Sequence, residues 1–408
     1  MNILFINHYA GSIKYGMEYR PYYLAREWIK MGHNVTIVAS SFSHLRHTEV
    51  SISGRITTEV IDGICYVWLK TPSYSGNGIG RVINMFSFTK SLYFLDERTI
   101  GFKPDVVIAS SPHPFVIYPA RRIQKKYKSK LVFEVRDLWP LTLKELGGIS
   151  KWHPFVLLMQ HAEDYAYRKA DKVVSLLPKA IDYMVGRGMS PEKFVYVPNG
   201  IAIEEWQDNS NSIPSDHLDI LKKLRKEGNL IVGYVGSHGV ANSLNYLIEA
   251  AYILKTEPIS FVLVGQGPEK KKLEEGVKRK GLNNVIFLPP VPKPSIPSLL
   301  SLMDVLYIGL QRKLLFSFGV SPNKLMDYMM SGKPIIHAIE AGNDLVEESG
   351  CGISVPPENS FEIASAVRRL KNMSLLERGE MGLKGKKYLL SNFDFKSLAN
   401  KFLDIMTS

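Results

Sequence analysis

At 408 residues the chain is too long for one ordinary core, so two domains are expected. Its 45% hydrophobic and 22% charged content is that of a soluble globular protein, and no uninterrupted apolar run approaches the ~18 residues that a membrane span needs. The formal charge of +12 suits an anionic partner such as a nucleotide or an anionic membrane surface; nucleic acid is set aside because neither zinc-finger spacing nor an RNA-binding aromatic pattern is present.

The N-terminus, MNILFINHYAGS, enters a strand-like run at once, without the basic and long apolar regions of a secretory leader. In the next stretch, YRPYYLAREWIKMG, Leu24, Trp28 and Met31 recur at helical spacing. Then follow NVTIVAS, a hairpin pattern VIDGICYVW turning on Asp62-Gly63, and the strand-like runs DVVIAS, KLVFEV, KVVSL and FVYVPNG. Helical stretches such as FVIYPARRIQKKY and PFVLLMQHAEDYAYRKA separate the later runs, which implies a mostly parallel sheet covered on both faces. Between them, Gly80 to Leu95 mixes bulky apolar residues with Arg81 and Lys90. It fits a helix lying on a bilayer surface and equally a core helix with two snorkelling cations. Cys65 and Cys351 match no metal or CxxC spacing and suit a reducing, cytoplasmic compartment.

After PNGIAIEEWQ the polar stretch DNSNSIPSDHLD reads as a linker or surface excursion. Alternation restarts with LIVGYVG, FVLVG, NVIFLPP, DVLYIGL, KPIIHAI and CGISVPP, and the chain closes on an amphipathic helix, FDFKSLANKFLDIMTS. The expected fold is therefore α/β, with two Rossmann-like, doubly wound domains and a cleft between them. Residues 1–202 form the first domain, 203–229 a linker, 230–390 the second domain, and 391–408 a helix returning to the first.

Candidate chemistry gathers at the carboxyl ends of strands. Gly11 and Gly16 in the first βα loop allow close backbone approach, and Arg20 follows where Pro21 helps a helix begin, an arrangement suited to phosphate. His113 in SSPHPF and Arg136 and Asp137 in FEVRDLWP follow two further strands; a carboxylate there is placed for proton transfer to a sugar hydroxyl, or else for capping a turn. His113, between two prolines, also fits a rigid turn. In the second half, Gly236 and Ser237 in GYVGSHG, and Gly265 and Gly267 in FVLVGQG, fall short of a dinucleotide fingerprint because a third glycine and a spaced acid are missing. Arg312 and Lys313 come just ahead of SPNKLMDYMMSGKP, a helix expected to be capped by Ser321 with Pro322 in its first turn, and they fit a phosphate-neutralising pair or a solvated basic loop. The helix carries Asn323, Lys324 and Asp327; its head suits an anion, Lys324 adds charge, and Asp327 can accept hydroxyls. A capped surface helix with a Lys324–Asp327 pair on its wet face explains the same letters.

Taken in order, MNILFINHY, GMEYRPYYLAREWIKMGHNVTIV, FEVRDLWP, YVPNGI, YVGSHG, VGQGPE and GVSPNKLMDYMMSGKPII resemble the family 4 glycosyltransferases of GT-B fold across essentially the whole chain. The likeness extends to bacterial O-antigen and capsular polysaccharide enzymes that use UDP-sugars, among them those transferring N-acetyl-L-fucosamine. The resemblance implies that the second domain binds the UDP-sugar donor and the first domain binds the acceptor, a polyprenyl-diphosphate-linked saccharide at the inner membrane surface. Family members carry two glutamates with seven residues between them; here the later position is Asp327, a ribose ligand, and the earlier is Gly319, so the pair is incomplete.

The implied donor site comprises Gly16, Arg20, Gly236, Ser237, Gly265, Gly267, Arg312, Lys313, Asn323, Lys324 and Asp327; the acceptor site comprises Arg81, His113, Arg136 and Asp137. Asp137, His113, Arg312 and Lys324 are the catalytic candidates. With no DxD-like metal signal, no metal or cofactor beyond the UDP-sugar is expected, and cations with helix-terminal N–H groups stabilise the leaving diphosphate. A front-face, retaining reaction needs no enzymic nucleophile, whereas an inverting one would use Asp137 as base. The other readings are a GT-B sugar-nucleotide 2-epimerase and a catalytically silent sugar-nucleotide-binding protein. The expected location is cytoplasmic, peripheral to the inner face of the plasma membrane.

Overall fold

The apolar run Asn2–Asn7 forms β1, buried along almost its whole length because parallel strands flank it on both sides. In this computed structural model, which describes residues 1–46, 48–76, 78–207 and 213–407, the chain divides into two units, 1–199 with 395–408, and 200–394. In unit 1, β1 is joined by β2 (Asn34–Ser40), β3 (Ile56–Ile61), β4 (Ile64–Leu69), β5 (Val106–Ser110), β6 (Lys130–Val135), β7 (Lys172–Ser175) and β8 (Phe194–Tyr196). Their order is β3-β4-β2-β1-β5-β6-β7-β8. Every pair is parallel except β3–β4, the hairpin in which Ile61 faces Ile64 across Asp62-Gly63. Strand order reverses between β1 and β5, so a crevice is expected at their carboxyl ends.

The Arg20–Lys30 helix carries Leu24 and Trp28 into the core of unit 1, and the C-terminal helix Phe395–Thr407 packs against it. The Trp28 indole N–H donates to the Ala399 carbonyl at 3.0 Å, and its ring meets Phe402 edge-on at 5.4 Å. The Gly80–Leu95 segment is a helix with one face in the core, as the packing reading expects. As the helix Ile79–Leu92 it buries Asn84, Met85, Phe88, Thr89 and Leu92, and it leaves Ile79, Ile83 and Phe86 exposed. Among the described residues no helix is long and apolar enough to cross a membrane.

In unit 2, β9 (Leu230–Val235), β10 (Ile259–Val264), β11 (Val285–Leu288), β12 (Val305–Gly309), β13 (Ile335–Ala338) and β14 (Gly352–Ser354) form an all-parallel sheet of order β11-β10-β9-β12-β13-β14. Here the reversal falls between β9 and β12. The expected linker is corrected in part: Ser215–Lys226 is a helix whose Leu221 and Leu224 enter the unit 2 core beside Ile231. His217, Leu221 and Leu224 fall at helical spacing and are buried, a pattern the surrounding charges obscure. Residues 208–212 of the presumed linker lie outside the described residues.

Candidate functional site

The reversal point of unit 2 is built largely from backbone. β9 leads into Gly236, and β10 into Gly265, with φ of 152° and 148°. A Cβ on Gly265 would come 1.9 Å from the Gly236 carbonyl oxygen, and one on Gly236 would come 3.3 Å from the Lys324 ammonium. Only glycine lets these loops and that ammonium approach so closely. A Cβ on Gly267 would come 2.5 Å from the His238 carbonyl oxygen, and the exposed Ser237 offers its carbonyl to the Tyr234 hydroxyl (2.6 Å) and to the Asn242 side-chain amide (3.0 Å).

Lys324 stands in the first turn of the helix Asn323–Met330, which begins one residue later than expected. Pro322 takes the N-cap position and provides no side-chain cap, which corrects the reading of Ser321 as the cap. One turn on, Tyr328 accepts a hydrogen bond from the Val235 N–H at 2.7 Å and pins the helix to the end of β9. The Lys324 ammonium donates to the Tyr234 hydroxyl at 2.8 Å and to Asn242 Oδ1 at 2.7 Å, and it lies 4.6 Å from the Tyr234 ring centre. Both hydrogen-bond partners are neutral, and among the described residues no carboxylate pairs with it. Although the residue keeps some surface in water, the protein packed around the ammonium pulls its pKa down to about 7.

The remaining donor-side candidates sort differently. The Lys324–Asp327 pair does not form: Asp327 Oδ1 lies 3.7 Å from the ammonium of Lys293, which is itself 3.8 Å from Glu205 Oε2. Burial raises the Asp327 carboxyl, with Lys293 opposing. Arg312 pairs with Glu340 at 3.3 Å, both side chains more than half exposed, while Lys313 is half-buried and Asn323 exposed. Gly319 sits in a loop held by Asn343, whose amide bridges the Val320 N–H and carbonyl.

Two unit 1 residues read as donor ligands are engaged within their own unit. The Arg20 guanidinium is buried, with Nε donating to Glu134 at 2.9 Å, Nη2 to the Val197 carbonyl at 3.0 Å, and Nη1 to the Pro198 carbonyl. It ties the first helix to the sheet and to the end of β8. Gly16 is buried in a small closed loop, its N–H donating to the Ser12 carbonyl at 2.8 Å.

At the reversal point of unit 1, His8 follows β1 and His113 follows β5, and both are fully buried. Asn84 donates to the Pro72 carbonyl (2.7 Å) and to Thr71 (3.0 Å), so its oxygen must accept from His8 Nε2 at 2.6 Å. His8 Nδ1 then accepts from His113 Nε2, also at 2.6 Å, which leaves His113 Nδ1 as an unprotonated acceptor without a partner. Burial, then Arg81, holds His113 down to about 3, in keeping with a neutral pair. Arg81 donates to the Tyr9 hydroxyl at 3.1 Å and lies over the Tyr9 and Trp139 rings. Arg136 is paired with Glu18, while the side chain of Asp137 reaches solvent. The protein around Asp137 nevertheless raises its carboxyl, against the pull of Arg136. The structure thus gathers Arg81, His113, Arg136 and Asp137 at the strand ends of one unit and Gly236, Gly265, Gly267, Lys324 and Asp327 at those of the other. His8, Asn84, Tyr234, His238, Asn242 and Lys293 escaped the sequence reading. The one available signal was the adjacency of His8 and His238 to first strands. Among the described residues no group of three or more His, Cys, Asp or Glu side chains is arranged to hold a metal.

Residues 15–205 match Glycosyltransferase Family 4, and residues 229–372 match Glycosyl transferases group 1. With one such region in each α/β unit, the chain is a glycosyltransferase of GT-B fold whose N-terminal region matches the family 4 model. The Escherichia coli K12 protein named for colanic acid biosynthesis, the glycosyl transferase WcaI, is 25% identical over 358 residues, covering 84% of this chain and 86% of that one. Alpha-D-kanosaminyltransferase of Streptomyces kanamyceticus is 27% identical over 57% of each chain. The same fold is seen in Anabaena HepE in complex with UDP-glucose, at a TM-score of 0.70, 16% identity, and coverage of 100% of this chain and 99% of that one. It is seen again in WaaG, a glycosyltransferase involved in lipopolysaccharide biosynthesis, at 0.65 and 15% with both chains covered in full.

Proposed function

We propose that this glycosyltransferase moves a sugar, N-acetyl-L-fucosamine being the candidate, from a UDP-sugar to a polyprenyl-diphosphate-linked saccharide in the synthesis of a bacterial surface polysaccharide. The observation that carries the donor half is Lys324, an enclosed cation without a carboxylate, at the strand reversal of unit 2. A diphosphate supplies the missing negative charge. The helix head and the Gly236 and Gly265 turns add close backbone approach, and Asp327, beside Lys293, accepts ribose hydroxyls. Breaking the glycosyl–phosphate bond concentrates negative charge on the departing diphosphate, where Lys324 stabilises it. The acceptor belongs to unit 1, near Arg81, His113, Arg136 and Asp137. Relatives named for colanic acid and lipopolysaccharide biosynthesis support the pathway class.

A membrane-bound acceptor also gives the exposed apolar surface of unit 1 a use. Ile79, Ile83 and Phe86 project from one helix, and Trp152, Leu157 and Leu158 from the start of another. Phe86 stacks on Phe115 at 5.0 Å, and Phe115 lies 6.0 Å from Phe155, which links the two groups. The helices Ile79–Leu92 and Ile117–Tyr127 carry Arg81, Lys90, Arg121, Arg122, Lys125 and Lys126 and no acid, the charge an anionic bilayer attracts.

The decisive experiment incubates purified protein with UDP-sugars, with and without a polyprenyl-diphosphate-linked saccharide. Acceptor-dependent release of UDP and a lengthened lipid-linked glycan are expected. Conversion of the UDP-sugar to an epimer without acceptor, or UDP binding with no transfer to any such lipid, would overturn this reading.

A further inference from the structure

His238 follows Gly236-Ser237 at the end of β9, with its main chain fixed by its N–H to the Gln266 carbonyl (2.8 Å) and its carbonyl to the Glu269 N–H (3.0 Å). Its ring is wholly buried between Tyr234 and Phe287, each 5.9 Å away, yet neither ring nitrogen has a hydrogen-bond partner. A histidine kept for packing alone is normally satisfied on at least one side. The ring is also part of the Lys324 cluster: a Cβ on Gly265 would lie 3.4 Å from His238 Nε2, next to the Gly236 carbonyl, and Gly236 abuts the ammonium. The charged groups acting on it are Lys270, at the start of the helix Lys270–Arg279 that follows β10, whose ammonium donates to the Gly265 carbonyl at 3.2 Å, and Lys324; neither is an acid. Tyr234 and Phe287 contribute only neutral rings, and Asp327 is directed to Lys293. Burial, then Lys270 and Lys324, holds the imidazole down to about 4, so it is neutral in the free protein.

We propose that His238 is a conditional second cation of the donor site: when a nucleoside diphosphate seats beside Lys324, His238 takes up a proton from solvent and donates a hydrogen bond to it. This rests on the donor reading of unit 2 given above. The negative charge of the diphosphate offsets the two ammonium groups that, after burial, hold the imidazole neutral, and it adds a hydrogen-bond acceptor beside the ring; a buried imidazole responds to that change more than an exposed one. Lys324 completes its own protonation in the same event, so binding takes up protons and affinity falls as pH rises.

The probe is UDP with the full chain, carrying histidine labelled with carbon-13 at the ring Cε1. His238→Gln removes one resonance and so assigns it; His238→Asn serves if the glutamine variant does not fold. Near pH 7 that resonance is expected to be neutral without UDP and imidazolium at saturation. The variant is expected to bind UDP about tenfold more weakly, the worth of one charge-assisted hydrogen bond. Titration calorimetry in two buffers of different ionisation enthalpy should show net proton uptake that the variant reduces. A His238 resonance that stays neutral at saturating UDP, or a variant with wild-type affinity and proton uptake, overturns the proposal while leaving the donor site intact. Failure of the wild-type protein to bind UDP at all overturns the donor reading and this proposal with it.

Discussion

The ammonium of Lys324, in the first turn of the helix Asn323–Met330, lies 2.7 Å from Asn242 Oδ1, and among the described residues no carboxylate balances it. Lys324→Ala is expected to lower transfer by about 10²–10³-fold, the effect of removing one preorganised stabiliser of a leaving anion, with the protein still folded. Steady-state kinetics beside a circular dichroism melt would check both halves; wild-type turnover would remove Lys324 from the site.

The same group gives a pH signature in stability. Its folded pKa, about 7, is below that of an ordinary lysine, so the unfolded state binds more protons between about pH 7 and 10. The destabilisation it causes is therefore complete below pH 7 and relieved as pH rises through that window. Comparing denaturant midpoints of wild type and Lys324→Met across the window should show the two converging at high pH, and added UDP should stabilise the wild type more than the variant on the acid side.

Asp137→Asn probes the other unit. We expect a sharp loss of acceptor-dependent transfer, of the order of 10²–10⁴-fold if Asp137 moves a proton, with UDP affinity unchanged. A parallel loss of UDP binding would place Asp137 in a different role.

Arg20→Ala separates a structural guanidinium from a phosphate ligand. Its partner Glu134 is completely buried, and leaving that carboxylate unpaired should cost about 3–5 kcal/mol. Equilibrium unfolding should show this loss, while UDP affinity measured well below the melting temperature stays at the wild-type value.

For the membrane surface, Ile83→Asp with Phe86→Asp should leave the fold intact, because both side chains are exposed, and should reduce sedimentation with anionic vesicles at low salt. Binding should also fall on raising ionic strength, as the screening of the basic helices requires. Absence of vesicle binding by the wild-type protein would refute membrane docking.

Local pattern determined a good deal of this protein. Period-two and continuous apolar runs located the strands of both sheets, Asp62-Gly63 located the one hairpin, and the helix bearing Lys324 and Asp327 was legible from its Pro start and Gly-Lys-Pro end. What local pattern did not contain was which side chains meet. Lys324 found Tyr234 and Asn242, 90 and 82 residues earlier in the chain, and left Asp327 one turn away to Lys293. Arg20, chemically apt for phosphate, met Glu134 and two carbonyls instead. His238 and His113 became buried, with ring nitrogens that find no partner among the described residues. The reason is physical: strand order, which sets β9 beside β12 and β1 beside β5, brings distant loops together, and burial, which sets the charge of Lys324 and His238, sums over everything packed around them. Neither quantity exists until the tertiary structure has formed.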